Sequence, residues 1–258
     1  MKIHPTAINS PKAQLDTTVE VGPYAIIEEN VKIGARTVIM AHAYISGWTE
    51  IGEDNRIHIG AVVGHVPQYI AFKGQRSYVR IGNGNTIREY VTIHRSIEEE
   101  HATVIGDRNF LMAMSHVAHD CVLGNEVILA NSVLLAGHVA IQDKVMISGS
   151  SGVHQYVRVG KIAMISGLTR VVKDVPPFML VEGESTVRGL NVIGMRRANI
   201  SAENREAVKR AYRLLYRSGL NLPHALEAIQ SEPMCEEVRL IVEFVKQSKR
   251  GICKHYVK

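Results

Sequence analysis

The chain has 258 residues, 46% of them hydrophobic, and a net charge of +5 with pI about 9.1. A chain of this length and apolar content buries a substantial core and is not disordered. The mild basic balance suits an anionic substrate or an acidic protein partner, and no basic stripe interleaved with aromatics points to nucleic acid. Three cysteines without CxxC spacing, Cys121, Cys235 and Cys253, exclude a disulfide framework and imply a reducing compartment. The N-terminus carries no apolar leader and no stretch reaches membrane-spanning length, so a cytoplasmic protein without a membrane span is expected. With aromatics at only 5%, the core must come from Ile, Val, Leu and Ala.

From Leu15 to Val171 an aliphatic residue recurs every six positions. Of 27 positions on this grid, 24 are Ile, Val or Leu, and the exceptions are Tyr69, Gln75 and Glu99. Two residues earlier stands a small or β-branched residue (Ala13, Val19, Ala25, Val31, Thr37, Ala43), and glycine often follows, as at Gly22, Gly34, Gly52 and Gly160. A helix needs a period of 3.6 and a simple strand a period of 2. A period of six fits a short strand plus a turn, three to a coil of 18, which is a parallel β-helix with glycine supplying tight corners. Breaks near 64–78 and 94–103, the second reading "SIEEEHA", predict loops extruded from the helix wall. The paired prolines of "KDVPPFML", residues 173–180, are expected to halt ladder pairing. Beyond them Ser201 is an expected N-cap, Glu203 and Glu206 suit a first helical turn, and Gly219 follows as a stop. Two further helices are expected at about 222–231 and 234–248. The predicted organisation is a β-helix over residues 1–190 and a helical domain over 191–258 that caps the exposed β edge.

The stretch "SHVAHDC", residues 115–121, takes its meaning from that frame. Residues 18 apart stack on successive coils, about 4.8 Å apart. Val117, Leu135 and Val153 form one inward column. His116, His119 and Asp120 then share an edge with His138, which stacks over Asp120, and with His154. A single histidine outside the inward column is ordinarily solvated, but four with one aspartate on one edge point to chemistry. His42, His58 and His65 lack comparable neighbours and are read as structural, and Cys121 as core. Two chemistries fit the cluster. A zinc hydratase would need three ligands converging at about 2.0–2.1 Å. General-base acyl transfer needs one imidazole, a carboxylate to hold its tautomer, and an amide, such as that of Gly137, for the developing oxyanion. A non-catalytic β-helical scaffold is the third reading.

The words "IREYVTIHR", "SHVAHDC", "LAGHV", "GVHQYV", "DVPP", "GLNVIGMRR" and "AYRLLYRSG", in this order and with the helical tail, resemble the acyl-(acyl-carrier-protein)–UDP-N-acetylglucosamine O-acyltransferases of lipid A synthesis over essentially the whole chain. The resemblance implies a left-handed β-helix, a homotrimer with sites between subunits, acyl-carrier protein as donor and no cofactor. It implies His119 as general base beside Asp120, and Gly137 as the oxyanion amide. It further implies substrate contacts at Gln68, His116, His138, His154 and Gln155, with Asn191 and Arg197 on the nucleotide side. Gly167 matches a position whose side-chain size limits acyl length. Departures fall in the acceptor pocket: Gln68-Tyr69-Ile70-Ala71 stands where the family commonly has Gln-Asp-Leu-Lys. In addition, Ile193 stands where a glutamate can occur and Ala198 replaces the second arginine of a pair. A UDP sugar with a 3-amino group, acylated to an amide, is therefore the alternative acceptor.

Overall fold

A computed structural model describes residues 2–255. Strands of two to four residues recur every six positions and assemble into three parallel sheets, one per wall of a triangular prism. Within uninterrupted coils the register is 18 residues, as in Lys2↔Glu20, Ile8↔Ile26 and Gln14↔Lys32. In the two-residue strands of the coils the second residue points inward: Ile27, Ile45, Val117, Leu135 and Val153 are buried, and the small positions Val19, Ala25, Val31 and Ala43 fill the space between them. The hexapeptide coils form a left-handed parallel β-helix followed by helices.

The two breaks change the register without changing the phase. Val62 pairs with Thr92, 30 residues on, and Thr92 pairs with His116, 24 on. The insertions therefore add twelve and six residues to a coil, which is why the six-residue count survives both. The excursions occupy residues 66–77 and 95–101, slightly inside the expected bounds, because His65 still pairs with His94 at their base. The three polar grid positions, Tyr69, Gln75 and Glu99, all fall in these loops.

Three expectations need correction. Glycine does not make the corners: the left-handed backbone position recurs every six residues and is held mainly by other types, including Tyr24, Arg36, His42, Asp120 and His138. The ladder on either side fixes the chain firmly enough to hold non-glycine residues there. The glycine after each aliphatic serves close approach instead, since a Cβ at Gly34 would lie 2.7 Å from the Gly52 backbone carbon. Nor do the prolines end the ladder. Pro176 and Pro177 sit in a corner, where no ladder N–H is needed. Met179–Glu182 then rejoins beside Met164–Ile165 and turns back on Thr186–Leu190. The open β edge is thus covered first by this hairpin and by the returning strand Lys254–His255, with the helices packed behind.

The helices are α1 (Val192–Arg197), α2 (Ala202–Tyr216), α3 (Leu222–Gln230) and α4 (Glu236–Lys246). The short α1 is unforeseen in the sequence, while α2 begins as expected, with Ser201 Oγ accepting from the Asn204 N–H. Among the described residues no helix is long and apolar enough to cross a membrane.

Candidate active site

The strand His116–Val117 buries Val117 and leaves His116 on the outer wall, and the corner that follows carries His119 and Asp120. His119 Nδ1 lies 2.8 Å from Asp120 Oδ2. A carboxylate only accepts, so Nδ1 bears the proton and Nε2 keeps its lone pair. Asp120 is held from several directions. Ser96 Oγ donates to Oδ1, the Ile97 N–H donates to Oδ2 at 3.2 Å, and the Asp120 N–H donates to Thr103 Oγ1 at 2.8 Å.

One coil on, His138 does stack over Asp120, with Nε2 3.8 Å from Oδ2. It meets His119 edge-on at 5.2 Å and lies flat on Tyr156 at 4.5 Å. Gly137 sits under the His119 ring, where a Cβ would come within 2.7 Å of Nε2. Its N–H donates to no acceptor among the described residues. An unspent backbone amide therefore lies beside the His119 ring.

His116 Nδ1 is 2.7 Å from Thr92 Oγ1, and its ring is met edge-on by His94 at 4.9 Å. Burial, reinforced by the neighbouring histidines, pushes the buried His94 down to about 4. Burial and then His119 push His116 down as well. His94 was missed because the 24-residue register hides it from a count of 18. His65 is also corrected: it pairs with His94 and so has the neighbour the sequence count denied it. Ser96, the other omission, gives no sequence signal, because the loop's path alone brings it to Asp120. Cys121 is core as expected, its thiol pushed up to about 12 by burial.

A groove of about 670 Å³ runs along the second sheet, lined by Gln68, His116, Ala136, His154 and Arg170 among others; His119, Asp120, Gly137 and His138 are not part of its lining. The first loop delivers Gln68 to it and sets the Tyr69 ring 5.7 Å from that of His119. His154 Nδ1 is 3.3 Å from an Arg250 guanidinium nitrogen, and Gln155 is exposed at the same corner.

Comparison with known proteins identifies the family. A profile for bacterial transferase hexapeptide repeats matches residues 102–137, and one described as UDP N-acetylglucosamine O-acyltransferase, domain 2, matches residues 174–253. An acyl-(acyl-carrier-protein)–UDP-N-acetylglucosamine O-acyltransferase of Thermodesulfovibrio yellowstonii is 47% identical over 98% of this chain and 99% of its own. The chain belongs to this family. It is an acyltransferase. The Syntrophobacter fumaroxidans relative is 43% identical over 98% of this chain and all of its own. The crystal structure of the UDP-N-acetylglucosamine acyltransferase from Bacteroides fragilis superposes with a TM-score of 0.94 at 42% identity, covering 96% of this chain and 98% of that one.

Not every expected family position joins the histidine groove. Asn191 and Arg197 line a second groove of about 470 Å³ with Met146, Ile193 and Ala198, on the wall formed by the first sheet. Asn191 caps α1 by accepting from the Gly194 N–H and ties that helix to the coil through Ile162 O. Gly167 is exposed at a corner, and a Cβ placed there would make ordinary van der Waals contact with Gly149 O at 3.4 Å.

His119, Asp120 and His138 bring ligand-capable atoms within 4.8 Å of one another. They do not fit a zinc centre. Both Asp120 oxygens already accept from Ser96, Ile97 and His119. An ion bound there would displace the proton that fixes the His119 tautomer. No step through a metal follows from this geometry.

Proposed function

We propose that the chain transfers a 3-hydroxyacyl group from acyl-carrier protein to the 3-hydroxyl of UDP-N-acetylglucosamine, the opening step of lipid A biosynthesis, in the cytoplasm. One observation carries the reading: Gly137 lies against the His119 ring, close to Nε2, while Nδ1 is tied to Asp120. Nε2 takes the proton of the sugar hydroxyl as its oxygen attacks the thioester carbon. The Gly137 N–H donates to the oxyanion of the tetrahedral intermediate. Collapse expels the carrier's thiolate, which recovers the proton from Nε2. Asp120 stabilises the imidazolium formed in between, and no serine or cysteine nucleophile is required. His116, His138, His154, Gln155 and Gln68 contact the substrates along the groove, and the open corner at Gly167 admits a long acyl chain. Asn191 and Arg197 bind the nucleotide from a neighbouring subunit of a homotrimer. In support, the outward residues of the first sheet near the site are largely apolar (Phe110, Ile128, Met146, Met164).

The test is incubation with a mixed acyl-carrier-protein pool and candidate UDP sugars, with products read by mass spectrometry. His119→Ala is expected to lower turnover by roughly 10²–10⁴-fold, and unchanged turnover would sink the mechanism. A second reading has its own observation: Tyr69 packs on His119 and Ala71 is short, where the family commonly places a carboxylate and an amine. An acceptor with a 3-amino group would then be N-acylated. Mild alkali separates the two products, because it cleaves the ester and spares the amide.

A further inference from the structure

The second extruded loop has no role in the chemistry so far, yet it enters the site. It adds six residues to one coil and carries Ser96 and Ile97 against the corner of the next. Ser96 is wholly buried. Its Oγ accepts from the Glu98 N–H at 2.9 Å, so the hydroxyl hydrogen remains to be donated. Two acceptors are in reach: the Glu98 carbonyl at 3.2 Å, and Asp120 Oδ1, which is nearer and ionised. A charged acceptor makes the stronger bond. The Ile97 N–H takes part of Oδ2, and the remaining acceptor direction of Oδ2 faces His119 Nδ1.

We infer that Ser96 is a positioning residue for the acyl transfer: through its hydroxyl it fixes the Asp120 carboxylate, and with it the tautomer and aim of His119. The inference rests on the reading of His119 as base. It gives the loop a purpose that neither its composition nor its exposed Glu98, Glu99 and Glu100 suggests. Asp120 occupies a left-handed corner, φ 60°, where its side chain projects off the wall. Without the loop it would have only Oδ2 engaged, by His119, and could rotate about χ2.

The test compares wild type with Ser96→Ala and with Ser96→Cys, a weak donor of similar shape. The first readout is the downfield proton resonance of the His119 Nδ1–H in the unliganded protein, assigned by its loss in His119→Ala. The second is kcat and KM measured separately. Ser96→Ala is expected to lower kcat about tenfold, the loss of one charge-assisted hydrogen bond felt in the transition state. KM is expected to stay within about twofold, since no substrate contact is removed. The resonance should shift or broaden, with Ser96→Cys intermediate in both readouts. An unchanged kcat, an unmoved resonance, or a parallel loss of kcat, KM and melting temperature overturns the inference. If wild type acylates no UDP sugar, the proposed function fails, while the resonance still decides whether Ser96 fixes the His119–Asp120 pair.

Discussion

At Gly137 a single missing Cβ leaves room for the His119 ring. The backbone there is not left-handed, so alanine meets no conformational penalty, but its Cβ would lie 2.7 Å from His119 Nε2. The imidazole is the part that must shift, at the expense of its bond to Asp120. Gly137→Ala should therefore leave the melting temperature nearly unchanged and lower kcat about 10²-fold, the usual cost of misplacing a catalytic group by about an ångström. Thermal melts and steady-state kinetics on the same sample check both halves. His94 acts on stability instead. Its folded-state pKa, about 4, lies below the usual histidine value of about 6.5. Between those values the unfolded chain binds the proton and the folded one does not, so stability is lost as pH falls through that window. The shift corresponds to about 3 kcal/mol, and His116 is shifted in the same direction. Denaturant titrations at pH 7 and pH 4.5 should show a much smaller difference in His94→Gln than in wild type.

The elements differ in how plainly the sequence announces them. A strand of the β-helix states its inward position through one aliphatic residue per six, and the phase survives both loops because each insertion is a multiple of six. Helix α2 is equally plain, with Ser201 at its cap. What the sequence hides is contact created by a change of register. His94 meets His116 across a coil whose register is 24 residues rather than 18, and Ser96 reaches Asp120 through the path of a loop. The end of the prism is hidden for a similar reason, since its closure depends on residues far apart in the chain. Asp174, buried between Val171 and the hairpin, accepts from the Arg158 N–H at 2.9 Å and from Ser248 Oγ at 2.8 Å. Its backbone exchanges hydrogen bonds with Gly251 and Cys253. Asp174→Ala would leave two donors without an acceptor and is expected to cost about 2–4 kcal/mol. Hydrogen exchange at the Asp174 and Cys253 amides should lose protection before that of the central coils. Equal loss across all coils would mean the latch is no local feature.

At the scale of the whole molecule, one chain holds two grooves on different walls. His116, Leu134 and His154 line a groove on the second sheet, while Met146, Met164 and Arg197 line another on the first. In the homotrimer proposed above, a sugar nucleotide acylated at His119 and held by Arg197 bridges two subunits. In a threefold ring each contact joins the first wall of one copy to the second wall of the next, so every copy contributes both halves to different sites. This arrangement predicts complementation. Subunits carrying His119→Ala and subunits carrying both Asn191→Ala and Arg197→Ala should each be nearly inactive alone when the sugar nucleotide is kept well below saturation. Co-expressed in equal amounts, they should form rings in which about a quarter of the contacts combine an intact His119 wall with an intact Arg197 wall. Activity should return to about that fraction of wild type, at the wild-type KM. A site confined to one chain predicts no recovery at all, because neither kind of subunit holds a complete set. Sedimentation of the mixed sample fixes the ring size, and mixing the two purified proteins without subunit exchange is the control that should stay inactive.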